Sequence, residues 1–406
     1  MINPLRGMKD LIFEDSQKFV HIVTTAIKIS KNYGYSYIET PILEETALFK
    51  RSVGESSDIV GKEMYQFQDK GDNDVCMRPE GTAGIVRAFI SNKLDRQDST
   101  FRFYYYGPMF RYERPQKGRL RSFHQFGCES FGEASVYEDF MIICMIKDIF
   151  NALDINFALK INSLGCKDCM PPYRVKLVSF LSDIKDELCE DCKRRIDINP
   201  IRVLDCKIER CQSMLCNSPK LIDNLCEVCD SDFEKLKSLL DSVNIEYECD
   251  TNLVRGLDYY NKTAFEFISS EIGSQSAIAG GGRYDRLVEF LDGKSTPAIG
   301  FAIGIERIMD LVQLPQAKRE GFYLGSMNEK GIENLCAISL NLVKNNKVTL
   351  EYKVKSLKSH LKSADKIGAK IIIFIGDDEL ANETLWIKDL ETKEEKIIRI
   401  DELEFS

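Results

Sequence analysis

Two stretches that read as strands, Phe101 to Glu113 and Ser122 to Phe131, flank the turn-rich basic segment Arg114-Pro115-Gln116-Lys117-Gly118-Arg119-Leu120-Arg121. Such a pair predicts an antiparallel hairpin with a long charged tip. It also sorts its own side chains, because residues two apart on a strand share a face. Arg111 and Glu113 point one way; on the returning strand Phe123, Gln125, Gly127 and Glu129 share a face, while His124, Phe126 and Cys128 take the other. One face therefore offers an arginine, a glutamine and two carboxylates around a glycine gap. Either that face is solvated or it is buried around a ligand.

At 406 residues the chain exceeds what one hydrophobic core organises, and its 44% apolar content can fill more than one, so two or three domains are expected. The sequence Met1-Ile2-Asn3-Pro4-Leu5-Arg6-Gly7 opens without an apolar export signal, and no later run approaches membrane-spanning length. A cytosolic, membrane-free location is the expectation. Net charge is −9, which does not advertise nucleic-acid binding. Locally the balance reverses: six basic residues face one acid between Arg102 and Arg121, and eight lysines face two acids between Lys344 and Lys370. Such runs serve as solvated faces or as phosphate contacts.

Apolar residues from Phe19 to Ile29 follow helical spacing within Asp15 to Tyr33, and Gly34 stands where a helix ends. Tyr35 to Ile42 is strand-like around Pro41. Residues 166–249, rich in cysteine pairs and charged helical stretches such as Phe233 to Leu240, read as an inserted module. Val254 to Phe267 returns to strand character, Ala279-Gly280-Gly281-Gly282-Arg283-Tyr284-Asp285 reads as a glycine turn, and Ile299 to Arg307 passes from strand to helix. After Pro315 comes a compact α/β unit: a helix near Ile332 to Lys344, a lysine-rich segment, the strand Ile371 to Ile375 and a hairpin over Leu385 to Ile400.

Three histidines cannot build a histidine-rich metal site, and no GxSxG or P-loop sequence is present. What remains is arginine beside glycine: Arg78-Pro79-Glu80-Gly81-Thr82, the hairpin with Arg111 and Arg121, Arg255-Gly256-Leu257-Asp258-Tyr259-Tyr260, and Arg307. Planar guanidinium groups clamp the charge that develops on phosphate oxygens during nucleotidyl transfer. Alone, each fragment reads as an ordinary loop or ion pair; together they point to phosphate chemistry.

Phe110 to Arg119 resembles the second signature motif of class II aminoacyl-tRNA synthetases, and Gly300 to Arg307 resembles the third. Arg255 to Tyr260 and Gly281 to Asp285 resemble the two peptides that mark the histidyl-tRNA synthetases, bacterial type. The helix before Gly34 and the strand through Pro41 stand where the first, dimer-forming motif belongs. The resemblance implies an α+β catalytic core on an antiparallel sheet over residues 1–318, containing the inserted module, and an anticodon-binding α/β domain over residues 319–406. It implies an ATP-dependent ligase that activates histidine to histidyl-adenylate and transfers it to the 3′ end of its tRNA, with magnesium at the leaving pyrophosphate and a homodimeric assembly.

Matching positions carry the family's roles. Glu80, Thr82 and Gln125 would hold the α-amino group, and Glu129 and Tyr260, with Tyr284 and Tyr259, would surround the imidazole. Arg111 and Arg255 would grip the α-phosphate and carboxylate as the catalytic pair. Glu113 and Phe123 would belong to the ATP site, Phe123 stacking on adenine. Arg119 and Arg307 would meet the terminal phosphates, Arg307 helped by its helix N-terminus. Arg114 and Gln116 would address the acceptor end of the tRNA. Two rivals remain: the synthetase-like regulatory subunit of ATP phosphoribosyltransferase, expected to lack the terminal domain and the arginine peptide, and a zinc-binding nucleic-acid adaptor, which leaves the histidine-specific peptides unexplained.

Nine cysteines fall between Cys166 and Cys229, including three CxxC pairs, and a CxxC turn offers two thiolates at the bite tetrahedral zinc needs. The stretch from Cys189 to Lys207 resembles a segment the family carries without the other pairs. That favours Cys166, Cys169, Cys226 and Cys229 as zinc ligands, the alternative being a set of buried free thiols.

Overall fold

The computed structural model describes residues 2–54, 57, 59–204, 206, 208–254, 257, 259–272, 277–315 and 318–403. The chain divides into two compact units, Met1–Gln313 and Leu314–Ser406; the boundary drawn from sequence lies five residues further on.

The first unit is built on an eight-stranded sheet with strands β1 (Ser36–Tyr37), β2 (Phe101–Phe110), β3 (Ser122–Phe131), β4 (Ala158–Ser163), β5 (Glu248–Cys249), β6 (Asn261–Ile268), β7 (Ala277–Arg283) and β8 (Ala298–Gly304). Their order is β1-β2-β3-β8-β7-β6-β4-β5, antiparallel except for the two edge pairs. Helices α1 (Phe13–Asn32) and α3 (Val136–Ala152) pack on one face through Ile22, Val23, Ala26 and the row Ile142, Ile146, Ile149. The other face carries α2 (Thr82–Ser91) and the polar cleft. Phe126 and Cys128 are fully buried on the α1 side, so the alternation read along β3 holds.

Several element limits differ from the sequence reading. The first hairpin strand ends at Phe110 rather than Glu113, because the Tyr112 N–H leaves the ladder for the Glu63 carbonyl. Of Tyr35 to Ile42 only Ser36–Tyr37 is strand, beside β2, since Pro41 breaks the run. Strand character begins at Asn261 rather than Val254, after a turn closed by Leu253 N–H on the Asp250 carbonyl.

The largest correction concerns the glycine run, which lies inside strand β7 rather than in a turn. A Cβ on Gly281 would sit 2.1 Å from the Gly300 carbonyl oxygen and 2.7 Å from the Phe265 ring. These glycines let three strands close on one another beneath the cleft.

The inserted module holds four helices, α4 (Met170–Asp183), α5 (Glu190–Ile198), α6 (Glu209–Leu215) and α7 (Glu227–Ser242). Its core of Tyr173, Leu177, Leu181, Leu188, Ile196, Val203, Leu215 and Leu221 is small and includes Cys192, Cys206 and Cys211.

The second unit is a five-stranded sheet: Phe322–Ser326 lies between Val348–Leu350 and Ile371–Ile375, all parallel, and the hairpin Thr384–Asp389 and Glu395–Arg399 continues it antiparallel. Asn328 caps the helix Glu329–Leu342 by accepting from Gly331 N–H at 2.7 Å. His360 is wholly buried between the Tyr323 hydroxyl and the Ser326 carbonyl, a packing histidine.

Candidate active site

The open ends of β2, β3, β8 and β7 and the loops joining them enclose a cleft of about 930 Å³ including its mouth. Its floor is set by Glu129, 1% exposed. Glu129 Oε1 accepts from Thr82 Oγ1 at 2.8 Å and Tyr105 OH at 3.4 Å, and Oε2 accepts from Tyr284 OH at 2.5 Å. Burial outweighs these three donors and pushes its carboxyl up to about 8. Gly300 faces it across the ladder, and a Cβ there would fall 1.6 Å from Oε2, so this position must lack a side chain.

The glycine gap on β3 is not a space for ligand. Tyr105 fills it: a Cβ on Gly127 would lie 2.5 Å from the Tyr105 hydroxyl, and one on Gly81 2.2 Å from its ring. Tyr105 thereby supports Glu129 from below, a role the sequence reading missed although two glycines on neighbouring segments marked the space.

Glu80 precedes α2, and its carboxylate accepts from Thr82 N–H at 2.7 Å and Ala83 N–H at 2.9 Å. Its burial raises its pKa, while those amides and Arg111 oppose the rise. Glu80, Thr82, Gln125, Tyr259 and Tyr260 line the cleft; Glu129 and Tyr284 lie just beneath it. The rings of Tyr259, Tyr260 and Tyr284 form a cage, with centroids 4.7, 5.7 and 6.5 Å apart. Among the described residues five buried side-chain polar atoms lack a hydrogen-bond partner, and three of them, Gln125 Oε1, Tyr259 OH and Arg119 Nε, belong to this cleft. A buried polar group left unpaired costs about 1–3 kcal/mol. That cost is relieved when a ligand supplies the missing partners.

The other end is cationic. Arg111 donates from Nε to the Pro79 carbonyl at 2.8 Å and lies 5.3 Å from the centroid of the Phe123 ring. Arg119 meets Glu113 at 3.1 Å, and Arg307 donates to the Ala277 carbonyl at 2.9 Å. Burial first, then the charges of Arg119 and Arg111, lower the Arg307 pKa. Three guanidinium groups held in mutual repulsion prefer an anion between them. The helix carrying Arg307, Ile305–Met309, has only five residues. It is too short for the macrodipole assistance expected from sequence. Glu306, Glu266 and Leu257 also line the cleft and were not foreseen. Glu306 accepts from His124 N–H at 2.8 Å and contacts its ring nitrogen, so it ties the third motif to the hairpin.

Arg255 lies outside the described residues. Arg114 and Gln116 are exposed on the hairpin tip, outside the cleft wall, with Gln116 and Arg119 closing a small backbone bridge. Arg78 and Arg283 serve the scaffold: Arg78 holds the Thr40 and Pro108 carbonyls, and Arg283 is buried against Asp139 at 2.5 Å.

Cys166, Cys169, Cys226 and Cys229 converge, with all four sulfurs within 4.8 Å of one another. Cys166 is 3.8 Å from both Cys169 and Cys226. Gly165 must be glycine here, because a Cβ would lie 2.6 Å from Cys169 Cβ. The same loop pairs with the strand after Tyr260 through Lys262 N–H to the Gly165 carbonyl at 2.7 Å.

With this geometry, comparisons with known proteins are informative. The family model of histidyl-tRNA synthetase matches residues 7–165 and 205–308, leaving 166–204 unmatched, and that of the anticodon binding domain matches 324–404. The histidine–tRNA ligase of Sulfurovum sp. (strain NBC37-1) is 72% identical over 403 residues, covering 99% of this chain and 100% of that one. That of Sulfurimonas denitrificans is 62% identical over 398 residues, covering 98% and 99%. The crystal structure of apo S. aureus histidyl-tRNA synthetase superposes with a TM-score of 0.83 at 33% identity, covering 99% of this chain and 98% of that one.

Proposed function

The chain belongs to the histidyl-tRNA synthetase family, and from that premise we propose how its cleft divides the work of joining histidine to tRNA at the expense of ATP. It is an ATP-dependent aminoacyl-tRNA ligase. The reading as a regulatory subunit is not favoured, since relatives named as ligases match along the whole chain and an anticodon-binding domain is present.

The observation that carries the site assignment is the set of unpartnered atoms on one cleft. Gln125 Oε1 suits an ammonium donor, as do the cleft-facing Glu80 and Thr82. Tyr259, Tyr260 and Tyr284 surround a flat ring whose two nitrogens need polar partners, Tyr260 at one and Glu129 at the other. Arg111 and Arg255 meet the reacting α-phosphate. Arg119 and Arg307 receive the terminal phosphates, and Phe123 offers its face to adenine beside Glu113.

The histidine carboxylate attacks the α-phosphorus in line; its oxygen–phosphorus bond forms as the bond to pyrophosphate breaks. The carboxylate is already ionised, so no strong base is needed, and orientation plus fixed positive charge carry the rate. The terminal ribose hydroxyl of tRNA then attacks the activated carbonyl and AMP departs. Glu113 and Glu266 line the cleft and would hold a magnesium ion arriving with ATP, which would neutralise charge on the polyphosphate.

Arg114 and Gln116 on the exposed tip would touch the acceptor end of the tRNA. Exposed Phe13 and Val20 on α1 and Tyr37 on the edge strand support a homodimer through that face. Among the described residues no helix is long and apolar enough to cross a membrane. A structural zinc ion at Cys166, Cys169, Cys226 and Cys229 completes the reading, bracing the loop that pairs beside Tyr260.

The test is Glu129→Gln, measured by steady-state pyrophosphate exchange. Replacing the buried carboxyl by an amide should raise the histidine KM by on the order of 10-fold or more while the ATP KM stays near that of the unmodified protein. A change confined to ATP would refute the assignment of the two ends of the cleft.

A further inference from the structure

A second group of cysteines in the inserted module has the same construction as the first. Cys189 stands at the start of α5 and Cys192 in its first turn, as Cys226 and Cys229 stand at the start of α7. Cys206 comes from the segment after Pro200–Val203, and Cys211 from α6. Their four sulfurs lie within 4.8 Å of one another. Cys189 and Cys206 are 4.0 Å apart, and the Cys189 N–H points at the Cys211 sulfur at 3.3 Å.

We propose that Cys189, Cys192, Cys206 and Cys211 form a second zinc centre, so that the inserted module holds two tetrathiolate zinc ions that share no ligand. This goes beyond the single zinc at Cys166, Cys169, Cys226 and Cys229 and stands on different residues.

The geometry matches a single ion. Tetrahedral zinc with bonds of about 2.3 Å holds its sulfurs about 3.8 Å apart. A polynuclear iron–sulfur cluster needs room for bridging sulfides between its ligands, which a quartet this tight does not leave. The backbone N–H directed at a ligand sulfur is the outer contact that steadies a metal thiolate. None of the fourteen cysteines is in a disulfide.

The fold around the quartet also needs a clip. Helix α5 has nine residues and buries only Cys192 and Ile196; α6 has seven and buries only Cys211 and Leu215. Helices this short are unstable alone, and a segment this small lacks the apolar area to hold them. Four thiols could pack as small apolar groups. Here, however, they come from three separate segments and turn their sulfurs to one point. Cys189 is partly exposed, which leaves a way in for the ion. On binding, each thiol gives its proton to solvent and its sulfur to zinc.

The experiment is metal analysis of the full chain, expressed with zinc and purified without chelator. About two zinc ions per chain are expected, because closed structural sites are nearly full. The count should fall to about one in Cys189→Ser/Cys211→Ser and, separately, in Cys166→Ser/Cys226→Ser. One zinc per chain already in the unmodified protein, unchanged in Cys189→Ser/Cys211→Ser, overturns the second centre and leaves the first standing. No zinc removes both, and iron in place of zinc overturns the proposal. Because a variant can fail to fold, the unmodified protein is also titrated with a mercurial in the presence of a zinc indicator. Release of two zinc ions per chain supports the proposal, and release of one overturns it.

Discussion

At the residue scale the histidine end of the cleft is governed by one carboxylate held where water cannot reach it. Burial raises the Glu129 carboxyl from 4.5 to about 8 even with three hydroxyls directed at it. A group that holds its proton more tightly folded than unfolded stabilises the fold fully below its unfolded pKa and loses that contribution as pH rises through the folded value. The unmodified protein should therefore lose stability relative to Glu129→Gln as pH rises from about 4.5 to about 8, with the gap levelling above that. Calorimetric Tm values for the pair across this window are the check. A gap independent of pH would show that Glu129 ionises like an exposed carboxylate. In the proposed binding mode the same burial would make Glu129 selective: a ring nitrogen that donates to it would replace lost solvation, and a ligand without that donor would leave it stranded.

Elements explain why these residues meet. Strand alternation alone placed Phe123, Gln125 and Glu129 on one face and Phe126 and Cys128 on the other, because a period of two follows from backbone geometry rather than context. The hairpin strand Ser122–Phe131, the strand Ile371–Ile375 and the terminal hairpin were legible for that reason. Glycine misled. The run at Gly280 to Gly282 carries the composition of a turn, yet Gly281 and Gly282 are glycine because the neighbouring strands and the Tyr260 ring occupy the space side chains would need. Tyr105 was missed for a related reason: its ring fills the place of two absent side chains from distant segments, a relation composition does not record. Glu266 and Glu306 reach the cleft only once β6 and β8 are assembled beside β7 and β3.

Gly300→Ala tests this account of the sheet. The new methyl group must displace the Glu129 carboxylate, 1.6 Å away, and press on the Cys128 carbonyl, 2.7 Å away on the neighbouring strand, so Gly300→Ala should lower Tm as well as shift the proposed histidine end. A displacement of about 1 Å in a reacting site costs on the order of 10²-fold, so kcat/KM for histidine should fall by that order. Circular dichroism below that lowered Tm should show that the variant is folded during the assay. Unaltered histidine kinetics in Gly300→Ala would mean that Glu129 is not held where substrate needs it.

For the whole molecule, charge is arranged locally against its total. The net charge of −9 opposes RNA binding. Yet Lys358, Lys362 and Lys366 stand four residues apart on one exposed face of the helix Leu357–Lys366 in the second unit, within the part that matches an anticodon-binding domain. In the first unit, Arg111, Arg119 and Arg307 gather in the cleft. Each unit thus concentrates positive charge while acids elsewhere set the sum. The sequence motifs identified the reaction, whereas the support beneath the site, from Tyr105 to the glycines, and the second cysteine quartet emerged only from the assembled fold. The central claim is that this cleft selects histidine and couples its carboxylate to ATP. Amino-acid-dependent ATP–pyrophosphate exchange by the purified chain, run with each of the standard amino acids in turn, tests it most directly. Exchange with histidine alone is the predicted result; no exchange with histidine, or equal exchange with another amino acid, would contradict the account.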